Sequence, residues 1–461
     1  MKATLDFLLN GERVSLAGEK ATRTLLTWLR ETRGLVGTKE GCAEGDCGAC
    51  TVVLADLDAA EKLRYQPVNA CILCIGALEG KEVITVEGLK RGHELHPVQK
   101  AMVDCHGSQC GFCTPGFVMA LHAQYKSGTP ADLRDAIAGN LCRCTGYRPI
   151  LEAGERARAL ANREEEAAED SERRKRIEAL PREPVRLGGF FSPLGTAELA
   201  AFLDDHPQAT ILAGGTDAGL LITKQHRDLD EVAYIGRVAE LRQLKDFPSH
   251  LEIGGVVTYA EAYEALARIH PDIGELLRRL GAVQVRAAGT LAGNIANASP
   301  IGDSMPVLLA LDAILILQKG DVSREARLAK FYTGYRKTLL QSGEFIRAIR
   351  VPKLAKGARF AVFKVSKRFD QDISSVCAAF HVHAGKARFG FGGMAATPAR
   401  ARQAEAAYAK GVEAACAGLA ADFSPISDQR ASAWYRIRAA QGLLRKFHAG
   451  VGPRVLLEST P

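Results

Sequence analysis

The chain has 461 residues, of which 47% are hydrophobic and 25% charged, so it can form about three domains that each bury a core. The formal net charge of +7 is small for this length, and no basic run alternates with aromatic residues, which argues against nucleic-acid binding. No apolar stretch approaches the roughly 18 residues of a membrane span, which argues against a membrane protein.

The N-terminal segment predicts a β-hairpin rather than a signal peptide. Apolar and polar residues alternate at 4–7, the turn dipeptide Asn10-Gly11 follows, and a second alternating run occupies 13–16. We therefore expect a cytoplasmic protein. Further strands are predicted at 50–54 and 83–86, with one helix at 23–30.

Cysteine is concentrated in the first third of the chain, where ten of the 12 cysteines lie within residues 1–144. In a reducing compartment this clustering favours metal binding over disulfides. Cys42, Cys47 and Cys50 have the spacing C-x4-C-x2-C, and Cys71 follows at a distance. This is the ligand spacing of plant-type [2Fe–2S] ferredoxins, in which three thiolates lie on one tight loop.

A second cysteine set combines a C-x2-C pair, Cys110 and Cys113, with a C-x-C pair, Cys142 and Cys144. Four thiolates in two short pairs suit a compact cluster, and both pairs are expected near helix starts, where the helix dipole favours thiolate charge. Taken alone, this set could also hold structural zinc, which favours C-x2-4-C pairs. The ferredoxin-like loop beside it favours iron–sulfur binding for both sets.

The segment from about 90 to 155 is predicted to be helical, with Pro97 and Pro115 at two helix starts. Residues 163–176 are highly charged and carry no apolar stripe, which predicts a solvated linker. Five further residues lie near the two cysteine sets in the sequence. We expect the cysteines among them to be buried thiols and the histidines to be solvent-side or capping residues: Cys74, Cys105, His93, His96 and His106.

The second half of the chain has an α/β pattern with two glycine-rich blocks. A buried strand at 209–213 runs into Gly214-Gly215-Thr216, whose amides could bind a pyrophosphate, although an ordinary strand-to-helix turn would fit equally well. The G-x-G-x-x-G spacing of a Rossmann fold is missing. The second block, 288–303, is small and apolar, which indicates backbone packed against a large ligand. Strands are predicted at 313–317 and, in a third domain that begins at about 355, at 360–365, 376–382 and 387–391.

Three stretches closely resemble the iron–sulfur domains of the xanthine dehydrogenase and aldehyde oxidase family, also called the molybdenum hydroxylases: GCAEGDCGACTV, HGSQCGFCTPG and GNLCRCTGYRPI. Both glycine-rich blocks resemble the FAD-binding domain of the same family, and the likeness is strongest to the iron–sulfur and FAD subunit of its two-subunit bacterial members. The resemblance implies an α+β multidomain fold. Its expected parts are a β-grasp ferredoxin-like domain (1–86), a four-helix iron–sulfur bundle (87–160), a charged linker (161–183), a non-Rossmann α/β FAD-binding domain (184–350) and a C-terminal α+β flavoprotein domain (351–461).

The resemblance also implies the residues that hold the cofactors. The metal ligands would be Cys42, Cys47, Cys50, Cys71, Cys110, Cys113, Cys142 and Cys144. The FAD contacts would be Ile211, Leu212, Ala213, Gly214, Gly215, Thr216, Asp217, Ala218, Leu280, Thr290, Asn294, Asp303, Ile346 and Lys364. Leu280 stands where many relatives carry an aromatic residue beside the flavin ring. No catalytic residue for substrate hydroxylation is expected in this chain.

The function implied is that of an oxidoreductase subunit that carries two [2Fe–2S] clusters and FAD. Electrons would come from a molybdenum cofactor on a large partner subunit and leave to NAD+, as hypoxanthine or xanthine is oxidised to urate in purine metabolism. No molybdenum-cofactor domain is recognisable before Pro461, so we expect the hydroxylation site on the partner, in a dimer of heterodimers. The alternatives are O2 as acceptor, an aldehyde or another N-heterocycle as substrate, and a non-catalytic protein that binds two zinc ions.

Overall fold

The computed structural model describes residues 1–128, 130 and 132–453. The chain divides into two compact units. The first unit is Met1–Ala239 together with Gly281–Gly289, and the second is Glu240–Leu280 together with Thr290–Pro461. The last part of the predicted C-terminal domain, 454–461, lies outside the described residues.

The described residues form strands and helices throughout the chain. The strands are β1 (Leu5–Leu9), β2 (Glu12–Leu16), β3 (Thr51–Leu57), β4 (Leu63–Asn69), β5 (Glu82–Ile84), β6 (Val185–Leu187), β7 (Phe190–Ser192), β8 (Thr210–Leu212), β9 (Val232–Tyr234), β10 (Leu244–Asp246), β11 (His250–Gly254), β12 (Ile314–Lys319), β13 (Val322–Arg327), β14 (Tyr332–Gly334), β15 (Lys337–Thr338), β16 (Phe345–Pro352), β17 (Arg359–Val365), β18 (Val376–His383), β19 (Lys386–Gly392) and β20 (Ala399–Arg400). The helices are α1 (Leu25–Thr27), α2 (Pro97–Asp104), α3 (Thr114–Ser127), α4 (Leu133–Ile137), α5 (Arg148–Ala159), α6 (Arg163–Glu178), α7 (Thr196–Asp205), α8 (Ala218–Thr223), α9 (Tyr259–Ile269), α10 (Pro271–Arg278), α11 (Val283–Ala288), α12 (Leu291–Ala296), α13 (Ser304–Ala310), α14 (Arg402–Ala407), α15 (Val412–Asp422) and α16 (Ala433–His448).

The first unit begins with a five-stranded sheet in the order β2-β1-β5-β3-β4. Strands β1 and β2 form the predicted hairpin, and Asn10 and Gly11 both have positive φ, at 52° and 88°, as a type I′ turn requires. Strand β1 pairs with β5 in parallel, and β3 pairs with β4 and β5 antiparallel. The helix predicted at 23–30 lies two residues later, where α1 continues into a π-helical turn at Trp28–Thr32.

Helices α2 to α5 form the four-helix bundle of the first unit. Pro97 and Pro115 lie in the first turns of α2 and α3, as predicted. The bundle buries Phe117, Leu121 and Ile150 in one core with side chains of β3. Helix α3 also contacts β3 and β4, so the bundle packs directly on the ferredoxin-like sheet.

The charged segment 161–183, expected to be a solvated linker, contains helix α6. The side chain of Arg173 is only 8% exposed and forms ion pairs with Glu82 at 3.0 Å and Glu169 at 2.8 Å, and Ile177 is buried. Asn162 caps the helix by accepting from two backbone amides. The sequence did not reveal this helix because charged pairs rather than an apolar stripe hold it in place.

A four-stranded sheet in the order β6-β7-β9-β8 completes the first unit, and the second unit contains a five-stranded sheet and another four-stranded sheet. One is antiparallel in the order β10-β11-β16-β12-β13, and the other is antiparallel in the order β17-β18-β19-β20. Helix α13 packs on β18 and β19, and α15 packs on α16. The α+β multidomain fold is confirmed. Over the described part of the chain, no helix combines the length and apolar character that a membrane crossing requires.

Candidate functional site

The first four cysteines come together at one end of the ferredoxin-like sheet. Cys50 directly precedes β3 and Cys71 follows β4, and the pairing of these two strands brings both residues to the same place. The sulfurs are close enough to influence one another, since the thiols of Cys47 and Cys71 lower the pKa of Cys42 and the thiol of Cys71 lowers that of Cys50. The sequence-predicted ligand set is therefore assembled around one site.

Backbone groups stabilise negative charge on the sulfur of Cys42. The amides of Glu44, Asp46 and Cys47 donate to Cys42 Sγ at 3.4, 3.3 and 3.4 Å. Hydrogen bonds from neighbouring cysteine thiols and from these amides lower the pKa of the Cys42 thiol. A Cβ at Gly41 would lie 2.8 Å from Cys47 Sγ, so the loop is closed tightly around its sulfurs. Four thiols with N–H donors directed at sulfur fit an iron–sulfur cluster.

The second four cysteines meet as two sulfur pairs, Cys113 with Cys142 and Cys110 with Cys144. Burial raises the pKa of Cys113 to about 12. Burial also acts to raise the pKa of Cys142, but the hydroxyl and amide of Thr145, at 3.2 and 3.4 Å from its sulfur, lower it. Cys110 and Cys144 are exposed, so this group reaches the surface.

The eight thiols form two groups of four. Over the described residues, no set of three or more His, Cys, Asp or Glu side chains is arranged to hold one metal ion. Within each group, neighbouring sulfurs influence one another's pKa. Soft thiol donors in two groups of four are the chemistry that [2Fe–2S] clusters use.

The remaining cysteines and histidines of this region are placed outside both groups. Cys74 is buried as expected, and burial raises the pKa of its thiol to about 12. Cys105 is only half-buried, contrary to expectation, because it lies at the C-terminal end of α2. His96 caps α2, accepting from the amide of Val98 at 3.2 Å, but it is buried rather than solvent-side. His93 and His106 are exposed.

The two cysteine groups are joined by direct backbone contact. The amide of Leu141, next to Cys142, donates to the carbonyl of Cys47 at 3.0 Å. Asn140 Nδ2 donates to the carbonyl of Gly48 at 2.9 Å and to Thr51 Oγ1 at 3.2 Å. No local sequence pattern predicts these contacts, although Asn140 stands immediately before the Leu-Cys-Arg-Cys run.

The glycine loop Ile211–Ala218 connects β8 to α8 in the first unit. Gly215 has a φ of +72°, and a Cβ at Gly214 would lie 1.7 Å from the carbonyl oxygen of Ala288. Within the described residues, no group accepts a hydrogen bond from the amides of Gly214, Gly215, Thr216 or Asp217. A narrow loop with unpaired amides fits a pyrophosphate.

The other expected flavin contacts belong to the second unit. Thr290 caps α12 by accepting from the amide of Gly293 at 2.9 Å. Asn294 Oδ1 accepts from the hydroxyl of Ser304 at 2.9 Å, so its amide nitrogen is oriented away from that bond. Ile346 is buried on β16, and Leu280 is partly buried against the same apolar core.

A buried ion pair connects two of these residues. Lys364 Nζ lies 2.7 Å from Asp303 Oδ2, and the side chains are 2% and 8% exposed. Lys364 also donates to the carbonyl of Arg279 at 2.9 Å, and Ser374 donates to Asp303 Oδ1 at 2.5 Å. The structure thus brings Asp303 and Lys364 together, as polar groups that could orient a large planar ligand.

Family models match the chain in four consecutive segments. They are "2Fe-2S iron-sulfur cluster binding domain" at residues 7–76, "[2Fe-2S] binding domain" at 85–155, "FAD binding domain in molybdopterin dehydrogenase" at 185–354 and "CO dehydrogenase flavoprotein C-terminal domain" at 361–451. The first two segments contain the two cysteine groups, and the third contains the glycine loop and the Thr290–Asp303 segment.

Curated relatives are larger proteins. A xanthine dehydrogenase of Emericella nidulans is 34% identical over 87% of this chain and 35% of its own length. A xanthine dehydrogenase/oxidase of Rattus norvegicus is 31% identical over 82% of this chain and 33% of its own length. The chain therefore spans about a third of the length of the curated relatives it matches.

Solved structures resemble more than half of this chain. A chain of carbon monoxide dehydrogenase from Hydrogenophaga pseudoflava superposes with a TM-score of 0.52 at 25% identity, covering 57% of this chain and 96% of that one. Quinoline 2-oxidoreductase from Pseudomonas putida 86 shares the fold, with a TM-score of 0.52 at 20% identity, over 59% of this chain and 98% of that one. Because the four family models follow one another over residues 7–451, and the relatives are about a third identical over most of the chain, the chain belongs to the molybdenum hydroxylase family of oxidoreductases and carries its [2Fe–2S] and FAD-binding domains.

Proposed function

We propose that this chain is the electron-transfer subunit of an NAD-dependent xanthine dehydrogenase. Electrons would pass from a molybdenum centre on a partner subunit through two [2Fe–2S] clusters to FAD and then NAD+, as hypoxanthine or xanthine is oxidised to urate. When bound, the clusters accept single electrons and the flavin supplies hydride chemistry. The chain itself binds, orients and shields these groups.

The observation that carries the proposal is the hydrogen bond between the two cysteine groups. The amide of Leu141 donates to the carbonyl of Cys47 at 3.0 Å, and Leu141 is bonded to Cys142. In our assignment, each group of four cysteines holds one cluster. A single hydrogen bond and a few covalent bonds then separate a ligand of one cluster from a ligand of the other, which supports electron transfer between them.

The exposed second group suits contact with an electron-donating partner. Cys110 and Cys144 are exposed, and the apolar side chains of Phe112 and Leu141 beside them are 49% and 46% exposed. Apolar side chains at a cofactor-bearing surface favour a protein interface. We assign this face to the molybdenum-containing subunit.

The first cysteine group lies against the glycine loop. Ile72 follows Cys71, and a Cβ at Gly219 would lie 2.4 Å from the Ile72 carbonyl oxygen. Lys224 at the end of α8 donates to the carbonyl of Cys42 at 2.6 Å. The contacts therefore run from the second cysteine group to the first and from the first to the glycine loop. This is the order in which the proposed electron transfer would proceed.

A second candidate is the equivalent subunit of another molybdenum hydroxylase, acting on an aldehyde or another N-heterocycle, with either NAD+ or O2 as the acceptor. The likeness to a chain of carbon monoxide dehydrogenase, 96% of which is covered, favours a substrate other than a purine, and the likeness to a xanthine dehydrogenase/oxidase favours O2 as an acceptor. Both candidates use the same residues in this chain, so they differ only in the donor and the acceptor.

Co-purification separates the candidates. The tagged chain is isolated with its bound partner, and the complex is assayed with xanthine and NAD+, with an aldehyde, and with O2 as the acceptor. Urate and NADH formation, flavin reduction by NADH without oxygen, and a mass corresponding to two copies of each subunit support the first proposal. Turnover of an aldehyde or another N-heterocycle but not of xanthine favours the second, and xanthine oxidation that proceeds with O2 but not NAD+ contradicts the acceptor in the first proposal.

A further inference from the structure

Gln284 is a buried side chain at the junction of the two cysteine groups. It lies on α11, in the segment Gly281–Gly289 that belongs to the first unit, and it is 1% exposed. Its Nε2 donates to Thr51 Oγ1 at 3.1 Å and to Asn140 Oδ1 at 2.9 Å. The segment matched by the FAD-domain family thus sends one side chain into the iron–sulfur part of the chain.

The two acceptors of Gln284 hold opposite sides of the contact between the cysteine groups. Thr51 follows Cys50 and donates to the carbonyl of Gly48 at 2.6 Å. Asn140 precedes Leu141 and Cys142, and it donates to Gly48 and Thr51. Gln284 therefore closes a network of buried hydrogen bonds that joins the loop of the first group to the segment 139–141 that leads into the second.

The backbone at the junction of the two cysteine groups is tightly packed against Gln284. A Cβ at Gly139 would lie 2.0 Å from Gln284 Oε1 and 2.7 Å from Ala282 Cβ. The backbone of 139–141 is thus clamped between the first cysteine loop and α11. Because Leu141 makes the hydrogen bond to Cys47, movement of this backbone changes the contact between the two groups.

Helix α11 also contacts the glycine loop at its other end. The carbonyl of Ala288 occupies the space that a Cβ at Gly214 would fill, at 1.7 Å. The carbonyl of Ala287 accepts from Gln66 Nε2 on β4 at 3.3 Å. One short helix therefore touches the junction of the cysteine groups, the strand that leads to Cys71, and the proposed pyrophosphate loop.

We propose that Gln284 is a positioning residue for electron transfer between the two clusters, supplied by the flavin-binding part of the chain. It fixes the distance between the clusters by holding the Cys47 carbonyl and the Leu141 amide together through Thr51 and Asn140. This inference rests on the proposed electron-transfer function. It adds that α11 couples the cluster junction to the glycine loop.

The test uses the full chain, reduced completely with dithionite and studied by low-temperature EPR. Two reduced clusters held at a fixed short distance split and broaden each other's signals. Gln284→Met keeps the length of the side chain but removes both donated hydrogen bonds, and Thr51→Val removes the hydroxyl that Gln284 contacts. Gln318→Met is the matched control, since Gln318 is also buried and donates one hydrogen bond, to Gly320 in the second unit.

We expect Gln284→Met and Thr51→Val to retain iron and flavin, to lose the splitting between the clusters, and to slow their equilibration after rapid partial reduction. The double variant should show the same loss of splitting and the same slowing of equilibration as either single variant, because both changes break the same network. Gln318→Met should match the wild type.

Wild-type splitting and equilibration in both iron-loaded variants would overturn the inference. Loss of iron from either cysteine group in both variants would overturn it too. The network would then be needed to form one of the cluster sites, and not to hold two formed clusters at a fixed distance. Failure of the proposed function itself is a different result, visible in the wild-type chain as absence of iron or flavin.

Discussion

The amide of Leu141 donates to the carbonyl of Cys47 at 3.0 Å, so the two cysteine groups meet backbone to backbone. Gly48 makes this approach possible, since its φ is +69° and a Cβ there would lie 2.2 Å from the carbonyl oxygen of Gly139. The two groups are therefore one assembly, and a change at their junction should affect both.

Substitution Gly48→Ala tests that junction. We expect it to destabilise the chain by roughly 3 kcal/mol, from left-handed strain and overpacking together, and to lower the iron content. The matched control is Gly18→Ala, where φ is +78° but no atom lies within 4 Å, so only the strain of about 1 kcal/mol should remain. Thermal unfolding measures the stability of both variants, and iron analysis measures their iron content. Equal losses of stability and iron in the two variants would contradict the close contact.

Substitution Gly214→Ala tests the glycine loop. A Cβ there would lie 1.7 Å from the Ala288 carbonyl oxygen, so the loop must move and its amides lose their alignment. We expect the purified variant to lose bound FAD while keeping its iron. The control is Gly442→Ala, on α16, where no atom lies within 4 Å of the Cβ position. This variant should keep FAD, and its free energy of unfolding should rise by roughly 0.5–1 kcal/mol. Wild-type FAD content in Gly214→Ala would contradict the assignment of this loop.

The ion pair between Lys364 and Asp303 predicts a non-additive pair of substitutions. Lys364→Met leaves the carboxylate of Asp303 buried without its cation, which should cost about 3–5 kcal/mol of unfolding free energy. Adding Asp303→Asn removes the buried charge and keeps an acceptor for Ser374, so the double variant should be more stable than Lys364→Met alone. Urea unfolding measures this difference, and a further loss in the double variant would show that the pair is not coupled.

Two buried histidines predict a loss of stability in mild acid. The rings of His96 and His122 lie 4.7 Å apart, and burial lowers the pKa of both, that of His96 to about 4. Unfolded histidine takes up protons below its ordinary pKa of 6.5, so the stability contributed by the neutral rings is complete above that pH and falls as the pH drops toward 4.

His122→Phe should remove one histidine's share of this pH dependence. The difference in unfolding free energy between wild type and variant should change by about 2 kcal/mol between pH 7 and pH 5. Thermal or urea unfolding at several pH values gives this difference. Parallel curves for the two proteins would contradict the account, because they would mean that His122 takes up no extra proton on unfolding.

The sequence predicted those parts of the structure that depend on local pattern. Asn10-Gly11 predicted a hairpin turn because few other residue pairs adopt positive φ at both positions. Pro97 and Pro115 predicted helix starts because proline lacks the amide hydrogen that a residue inside a helix donates. The C-x4-C-x2-C spacing predicted the first cysteine group because three of its members lie on one loop.

Contacts between distant segments were not predictable in the same way. Gln284 and Asn140 are 144 positions apart, and no local pattern marks a buried amide that will find such a partner. Helix α6 was missed because Arg173 is buried by its ion pairs, whereas sequence reasoning treats a charged run as solvated. The half-buried Cys105 shows the same limit, since its exposure depends on where α2 ends.

The most direct test of the central claim is a combined iron, acid-labile sulfide and zinc analysis of the anaerobically purified chain, with Mössbauer spectra of the same sample. If the eight cysteines hold two [2Fe–2S] clusters, each chain should contain about four irons and four sulfides, and little zinc. Stoichiometric zinc without labile sulfide, or disulfides between the eight cysteines, would contradict the account.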